Sequence, residues 1–387
     1  MSYKKIIVFI LTITLLSSIS FGLDIKDSAS GVDFQLYLAT DGKLYGIGNN
    51  DQGELGLGDA AESEYEEVVE ITTDVLLPEV GDSVIKKTVT TGADFSAIIK
   101  NDKKVYVTGE NYFGQLGLGY NIFEAKKGFT VIPGANNANI VSISAGADFL
   151  LLLNENGEVY GTGDNGFGQI RENGEAVYSE LTSVYIPTEP DKKAIAIATG
   201  SRHSVILLKD GQVITLGDNE YYQKNIMIPT GRKVAEIAAG GYHTLVRLDD
   251  NTIWGVGNNE DQQIAKHIGN GDPGDKARSQ MIQLVDEDGQ KLKVDNPNSR
   301  IRNMAAGFDF SMAVKKGKDG KTSVTGLGNK YKDQLGKEAK TKAGNSVKIE
   351  TMDTIENISG NWQHSIIMGK DKNKEKTETQ PTKGGLL

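Results

Sequence analysis

The sequence predicts an all-β chain, a seven-bladed β-propeller. Three observations lead there. Glycine is abundant, at 46 of 387 residues, and spread through the chain. Spread glycine in a non-collagenous sequence means many tight turns and many short strands. One half-motif recurs seven times, and a second half-motif follows six of those copies. The copies lie roughly 40 to 70 residues apart, the scale of a propeller blade.

The first half-motif is a glycine, two variable residues, an aromatic ring and then an apolar run. It appears as Gly31-Val32-Asp33-Phe34, Gly92-Ala93-Asp94-Phe95, Gly146-Ala147-Asp148-Phe149 and Gly200-Ser201-Arg202-His203. It returns as Gly240-Gly241-Tyr242-His243 and Gly307-Phe308-Asp309-Phe310. The seventh copy, Asn361-Trp362-Gln363-His364, carries asparagine in the glycine slot. That exchange is expected if the slot needs a left-handed backbone.

The second half-motif runs apolar-aromatic-x-x-Gly-x-Asn-x-x-Gly-Gln-Leu-Gly. Clear copies begin at Leu44, Val105 and Val159. Degenerate copies begin at Val213, Ile253 and Val324 and keep Gln223, Gln263 and Gln334. Between the halves stand Asp41-Gly42, Asn156-Gly157 and Asp210-Gly211. Such pairs supply the positive φ angles of two-residue hairpins. A lone hairpin cannot bury both faces. Stacked in a ring it can, and the ring leaves only short edges.

These patterns resemble the regulator of chromosome condensation repeat, from Gly31 to Met368. The resemblance implies seven blades. Six with a spare strand is the alternative, because the seventh first half has no second half. The last blade is then incomplete, or closed by residues near Leu23 to Ser28 or by the tail.

Residues 1–22 read as a secretory signal, with Lys4 and Lys5 ahead of an apolar run from Ile6 to Leu16 and a small-x-small pattern at Ser20-Phe21-Gly22. The propeller is expected over 23–369, with insertions at about 59–87 and 264–300. A disordered polar tail is expected over 370–387. Without the signal, 40 basic residues face 52 acidic ones, about −12. That balance opposes nucleic-acid binding. No cysteine is present, which removes thiol catalysis and thiolate metal sites. The expected location is secreted or extracytoplasmic, in a periplasm or at a cell surface. No stable membrane insertion is expected once the signal is cleaved, and the chain is expected to be a monomer.

The chemistry-bearing residues mostly fall on repeat slots. His203, His243 and His364 share theirs with Phe34, Phe95, Phe149 and Phe310, so it reads as a packing position. Asp33, Asp94, Asp148 and Asp309 also recur, either as turn caps or as a carboxylate ring that attracts a cation. No catalytic residue, cofactor or metal ligand is assigned, and no enzyme is expected. The turn after Gly-x-Asn carries Tyr112, Phe113, Phe167, Tyr221, Tyr222 and Tyr331. Gathered on one face, these aromatics form a protein-binding surface; the alternative is that each packs onto its own blade. Tyr112 and Tyr221 are expected to be the more exposed, and Trp254 to lie within the core.

The functional expectation is an exported, non-catalytic propeller that binds a protein through loops on one face, as an inhibitor or adaptor. Secreted inhibitors of β-lactamase are similar in repeat type and compartment. The alternatives are a glycan-active propeller enzyme and, as the resemblance implies, a guanine-nucleotide exchange or chromatin-binding regulator.

Overall fold

The computed structural model describes residues 7–10, 25–78, 80–81, 84–120, 122–135, 138–265, 276–286, 289–294, 302–316, 322–328, 347–352, 354–361 and 364–370. Within them the chain is an all-β propeller of antiparallel meanders. The first sheet takes Ile25–Ser30, Phe34–Ala39, Leu44–Asn49 and Glu64–Thr72 in that order. Later sheets repeat the plan from inner strands Val89–Thr91, Ile140–Ala145, Ala194–Thr199, Val234–Ala239 and Met304–Ala306. The sheet begun by Ala194–Thr199 has three strands among the described residues; the others have four.

Each second strand is a continuous apolar run because both its faces are covered. In Phe149–Asn154, Leu150 and Leu152 pack with Ile99, Val105 and Leu116 of the preceding sheet. Leu151 and Leu153 pack with Ile197, Ile206 and Leu208 of the following one. Side chains alternate along a strand, so one hairpin feeds two cores.

Inner strands of consecutive sheets lie side by side around an axis, and Thr354–Asn361 lies beside Ile25–Ser30. A belt of backbone hydrogen bonds follows the same path. Val32 N–H donates to Ala93 O, Ala93 to Ala147, Ala147 to Ser201 and Ser201 to Gly241, all at 3.0–3.2 Å. Ser359 Oγ donates to Ser28 O at 3.1 Å across the join between chain end and chain start.

Several expectations change here. Glycines of the first half-motif do not adopt positive φ. They are required for space. A Cβ on Gly146 would lie 1.9 Å from Phe149 Cε1, and one on Gly200 would lie 2.2 Å from His203 Cε1. The ring folds back across the glycine while its own carbonyl accepts the glycine N–H at 2.9 Å.

The inter-half turns are not two-residue hairpins. Gly157 has φ +81°, but Asn156 has no positive φ, and Gly157 N–H donates to Asn154 O at 3.1 Å. This is a type I turn closed by a left-handed residue. Lys103 and Asn251 hold that last position in other sheets, at φ +61° and +68°. The preceding acid supplies a local hydrogen bond instead, as when Asp210 Oδ1 accepts from Gln212 N–H at 3.0 Å.

The two stretches read as insertions each contribute an outermost strand, Glu64–Thr72 and Ala277–Gln283. The residues near Leu23 to Ser28 do not complete the last sheet, because Ile25–Ser30 is the inner strand of the first. Instead Ile7–Ile10, inside the segment read as a signal, pairs antiparallel with His364–Lys370. Other residues of 1–22 lie outside the described part, as does the tail beyond Lys370.

Candidate functional site

A meander fixes which loops share an end of the ring. The glycine-aromatic turn joins first to second strand, and the Gly-x-Asn turn joins third to fourth, so both lie at one end. The Asp-Gly turns lie at the other. Contacts agree with this. The Arg202 guanidinium sits 4.5 Å from the Phe167 ring centre. Tyr221 packs on Tyr242 at 5.5 Å, and Tyr242 meets Phe308 edge-on at 5.6 Å.

Most polar groups of the Gly-x-Asn turn are consumed in building it, although Gln223 Nε2 and Gln263 Nε2 are buried without a partner among the described residues. Asn111 Oδ1 accepts from Leu116 N–H at 2.9 Å, and Asn165 Oδ1 from Ile170 N–H at 2.8 Å. Gln115 Oε1 accepts from Phe113 N–H at 2.9 Å, Gln169 from Phe167 at 3.0 Å and Gln223 from Tyr221 at 3.0 Å. In the first sheet Glu54 takes the glutamine slot and accepts from Gln52 N–H at 3.0 Å. Its burial raises its pKa to about 7, against two backbone hydrogen bonds and with help from Asp94 and Asp51.

What projects from these brackets is apolar. Tyr112 is 61% exposed, Phe113 41%, Phe167 46% and Tyr222 44%. Tyr222 holds φ +66° where three other copies have Gly53, Gly114 and Gly168, so its ring is carried outward by a left-handed backbone. Tyr221 was expected to be among the more exposed; it is half-buried against Tyr242. Phe113 and Phe167, expected to be the more covered, are exposed. Trp254 is half-buried rather than enclosed, and its indole N–H donates to Thr252 Oγ1 at 2.8 Å. Tyr331 lies outside the described residues.

The sequence reading missed Tyr120, Ile122 and Phe123, which are 70%, 38% and 40% exposed. They follow the repeat's last glycine and match no slot. Asn111 Nδ2 ties them to the Tyr112 turn by donating to Ile122 O at 2.5 Å.

Carboxylates stand at this end too, in the sheets that carry Tyr112 and Phe167. Burial raises Asp148 to about 6, with Asp164 and Asp94 adding and Arg202 opposing. Burial also raises Asp94 and Glu110, with neighbouring carboxylates adding in each case. Among the described residues, no three His, Asp or Glu side chains are placed to hold a metal ion.

The two described repeat histidines are packing residues with a polar edge. His203 Nε2 lies 3.0 Å from Thr244 Oγ1, and Thr244 donates to Gln223 O at 2.8 Å. Nε2 therefore carries the proton, and Nδ1 is buried without a partner. His243 Nε2 lies 3.0 Å from Ser311 Oγ, and its Nδ1 too is buried without a partner among the described residues. Burial lowers both to about 3, with His243 and Lys224 adding to the effect at His203. Both are neutral at pH 7. His364 and His267 lie outside what the structure describes of side chains.

Residues 87–115, 140–169, 194–223 and 234–263 match the Regulator of chromosome condensation (RCC1) repeat, and 102–153 match it in a second register. The chain is an RCC1-like β-propeller. Similar folds include human WBSCR16, at TM-score 0.72 and 17% identity over 92% of this chain and 89% of that one. Prp20p from Saccharomyces cerevisiae gives 0.70 and 18% over 98% and 96%. The secretion-regulating guanine nucleotide exchange factor of Bos taurus is 31% identical over 45% of this chain and 35% of its own length. The E3 ubiquitin-protein ligase HERC2 of Mus musculus is 28% identical over 48% of this chain and 4% of its own. The chain thus matches less than half the length of either curated relative. The matched segments contain the Asn, Gln and ring slots as well as Tyr112, Phe113, Phe167 and Tyr222.

Proposed function

We propose that this chain is an exported, non-catalytic RCC1-repeat propeller of seven blades that binds a protein, as inhibitor or adaptor, through the loops at its aromatic end. One observation carries the reading: Tyr112, Phe113, Phe167 and Tyr222 project from one end of the ring, the first three from turns whose Asn and Gln side chains are internally bracketed. Rigid, exposed aromatic rings are the side chains that dominate binding energy when a partner covers them. The seven-blade count is supported by the path of neighbouring inner strands from Ile25–Ser30 round to Thr354–Asn361. Export is supported by the basic-apolar-small pattern of residues 1–22.

The test compares partner capture by the parent and by a Tyr112→Ala/Phe167→Ala/Tyr222→Ala variant. The expected result is at least tenfold weaker binding, from about 1–2 kcal/mol per ring, with unchanged unfolding. Asp210→Ala at the opposite end leaves binding unchanged. Equal binding by parent and triple variant would refute the aromatic end as the interface. N-terminal sequencing of exported protein, expected to begin at Leu23, tests the signal.

A glycan-active enzyme is a second reading, favoured by the raised Asp148 and Glu110 on the same face. It requires hydrolysis of a polysaccharide that Asp148→Asn abolishes.

A further inference from the structure

The inner strands enclose a channel with a cavity of about 90 Å³, lined mostly by small residues such as Ser144, Ala196 and Ala306. Its lining changes character at the end remote from the aromatic loops. Lys87 and Arg302 enter there, just ahead of inner strands Val89–Thr91 and Met304–Ala306. The Arg302 guanidinium is split in its loyalties. Nη2 donates to Asp27 Oδ2 at 2.8 Å, while Nη1 is buried with no acceptor among the described residues. Lys87 forms no side-chain hydrogen bond or ion pair among the described residues, although its own N–H donates to Ser142 Oγ at 3.0 Å.

The acids nearby are already committed. Asp27 is fully buried against Arg302. Glu236, which also lines the cavity, accepts from Arg247 Nε at 2.9 Å and from Asn303 N and Nδ2 at 3.0 Å each. The buried hydroxyls of Ser28 and Thr88, next to Asp27 and Lys87 in sequence, also have no partner among the described residues. Two cationic side chains therefore line a channel cavity whose described carboxylates already have partners. Leaving a charged donor buried and unpaired is costly, and a bound acceptor removes that cost.

We propose that the channel binds a small oxyanion, of the sulfate or phosphate type, between the Lys87 ammonium and Arg302 Nη1. The cavity volume admits a few waters or one such ion. Desolvation, with Arg302 adding and Asp27 opposing, lowers the Lys87 pKa to about 8, and an anion beside it reverses that pull.

The test uses the full chain with sodium sulfate as probe, against sodium chloride at equal ionic strength. Sulfate stabilises many proteins by exclusion from their surface. The quantity read is therefore the difference between the parent and Lys87→Met, a variant that breaks no ion pair. The melting temperature of the parent is expected to rise with sulfate concentration beyond that of Lys87→Met. Calorimetric sulfate binding is expected to weaken at least tenfold in Lys87→Met. Arg302→Lys keeps a charge for Asp27 but removes the second donor, and weakens sulfate binding too. Equal sulfate response in the parent and both variants, or no heat of binding to the parent, overturns the proposal and leaves water as the occupant.

Discussion

The sheet built on Phe149 and the one built on His203 solve one packing problem with different chemistry. In both, the ring lies over a glycine that has no room for a Cβ. Phe149 is wholly apolar and asks nothing of its neighbours. His203 reaches across to Thr244 of the next sheet and gains one hydrogen bond, at the expense of a stranded Nδ1. The shared part is steric and independent of pH. The differing part makes one arc of the ring sensitive to acid.

The largest expected effect breaks the shared part. Gly146→Ala forces a Cβ into the Phe149 ring and is expected to cost more than about 3 kcal/mol in denaturant unfolding. Gly200→Ala meets His203 Cε1 at 2.2 Å and Gly240 O at 2.3 Å, with the same expected outcome. A loss below about 1 kcal/mol in either variant would mean that the ring moves aside at little cost.

The next sharpens the difference. His203 and His243 have folded pKa values near 3, below the unfolded value of 6.5. Between those values the unfolded chain binds more protons, so stability is full above pH 6.5 and falls as pH drops. Each histidine is expected to remove about 1–2 kcal/mol by pH 5. Unfolding of His203→Phe/His243→Phe at pH 5 and pH 7.5 checks this. The variant is expected to lose the acid dependence owed to these two sites and to stay within about 1 kcal/mol of the parent at neutral pH.

Glu54 moves the other way. Its folded pKa is raised from 4.5 to about 7, so the stability it contributes is present below pH 4.5 and is lost as pH rises through 7. Glu54→Gln, which installs the residue of the other repeats, is expected to stabilise by roughly 1 kcal/mol at pH 8 and to change nothing at pH 4. The smallest effect concerns the join. A chain starting at Leu23 loses the edge strand Ile7–Ile10. It is expected to unfold cooperatively, with a melting temperature lower by only a few degrees.

Much of this architecture was legible in order along the chain. The six copies from Gly31 to Phe310 mark each innermost turn, and the slot that His203 and His243 share with Phe34, Phe95, Phe149 and Phe310 identifies both histidines as packing residues. The aromatic turns were also legible as a group. Their exposure was not: Tyr221 and Phe167 share one slot, yet one is covered by Tyr242 and the other lies beneath Arg202 with nearly half its surface in solvent. The neighbouring blade sets that difference, and it is remote in sequence.

The sequence alone determined the repeat and the all-β propeller, because those rest on local turn chemistry and side-chain alternation. Tertiary structure alone decided why the motif glycine is a glycine, since the clash comes from a ring three residues on and folded back. It alone placed Glu64–Thr72 and Ala277–Gln283 as outer strands. It alone brought Lys87 and Arg302 to one channel end, because only ring closure makes neighbours of strands more than 200 residues apart.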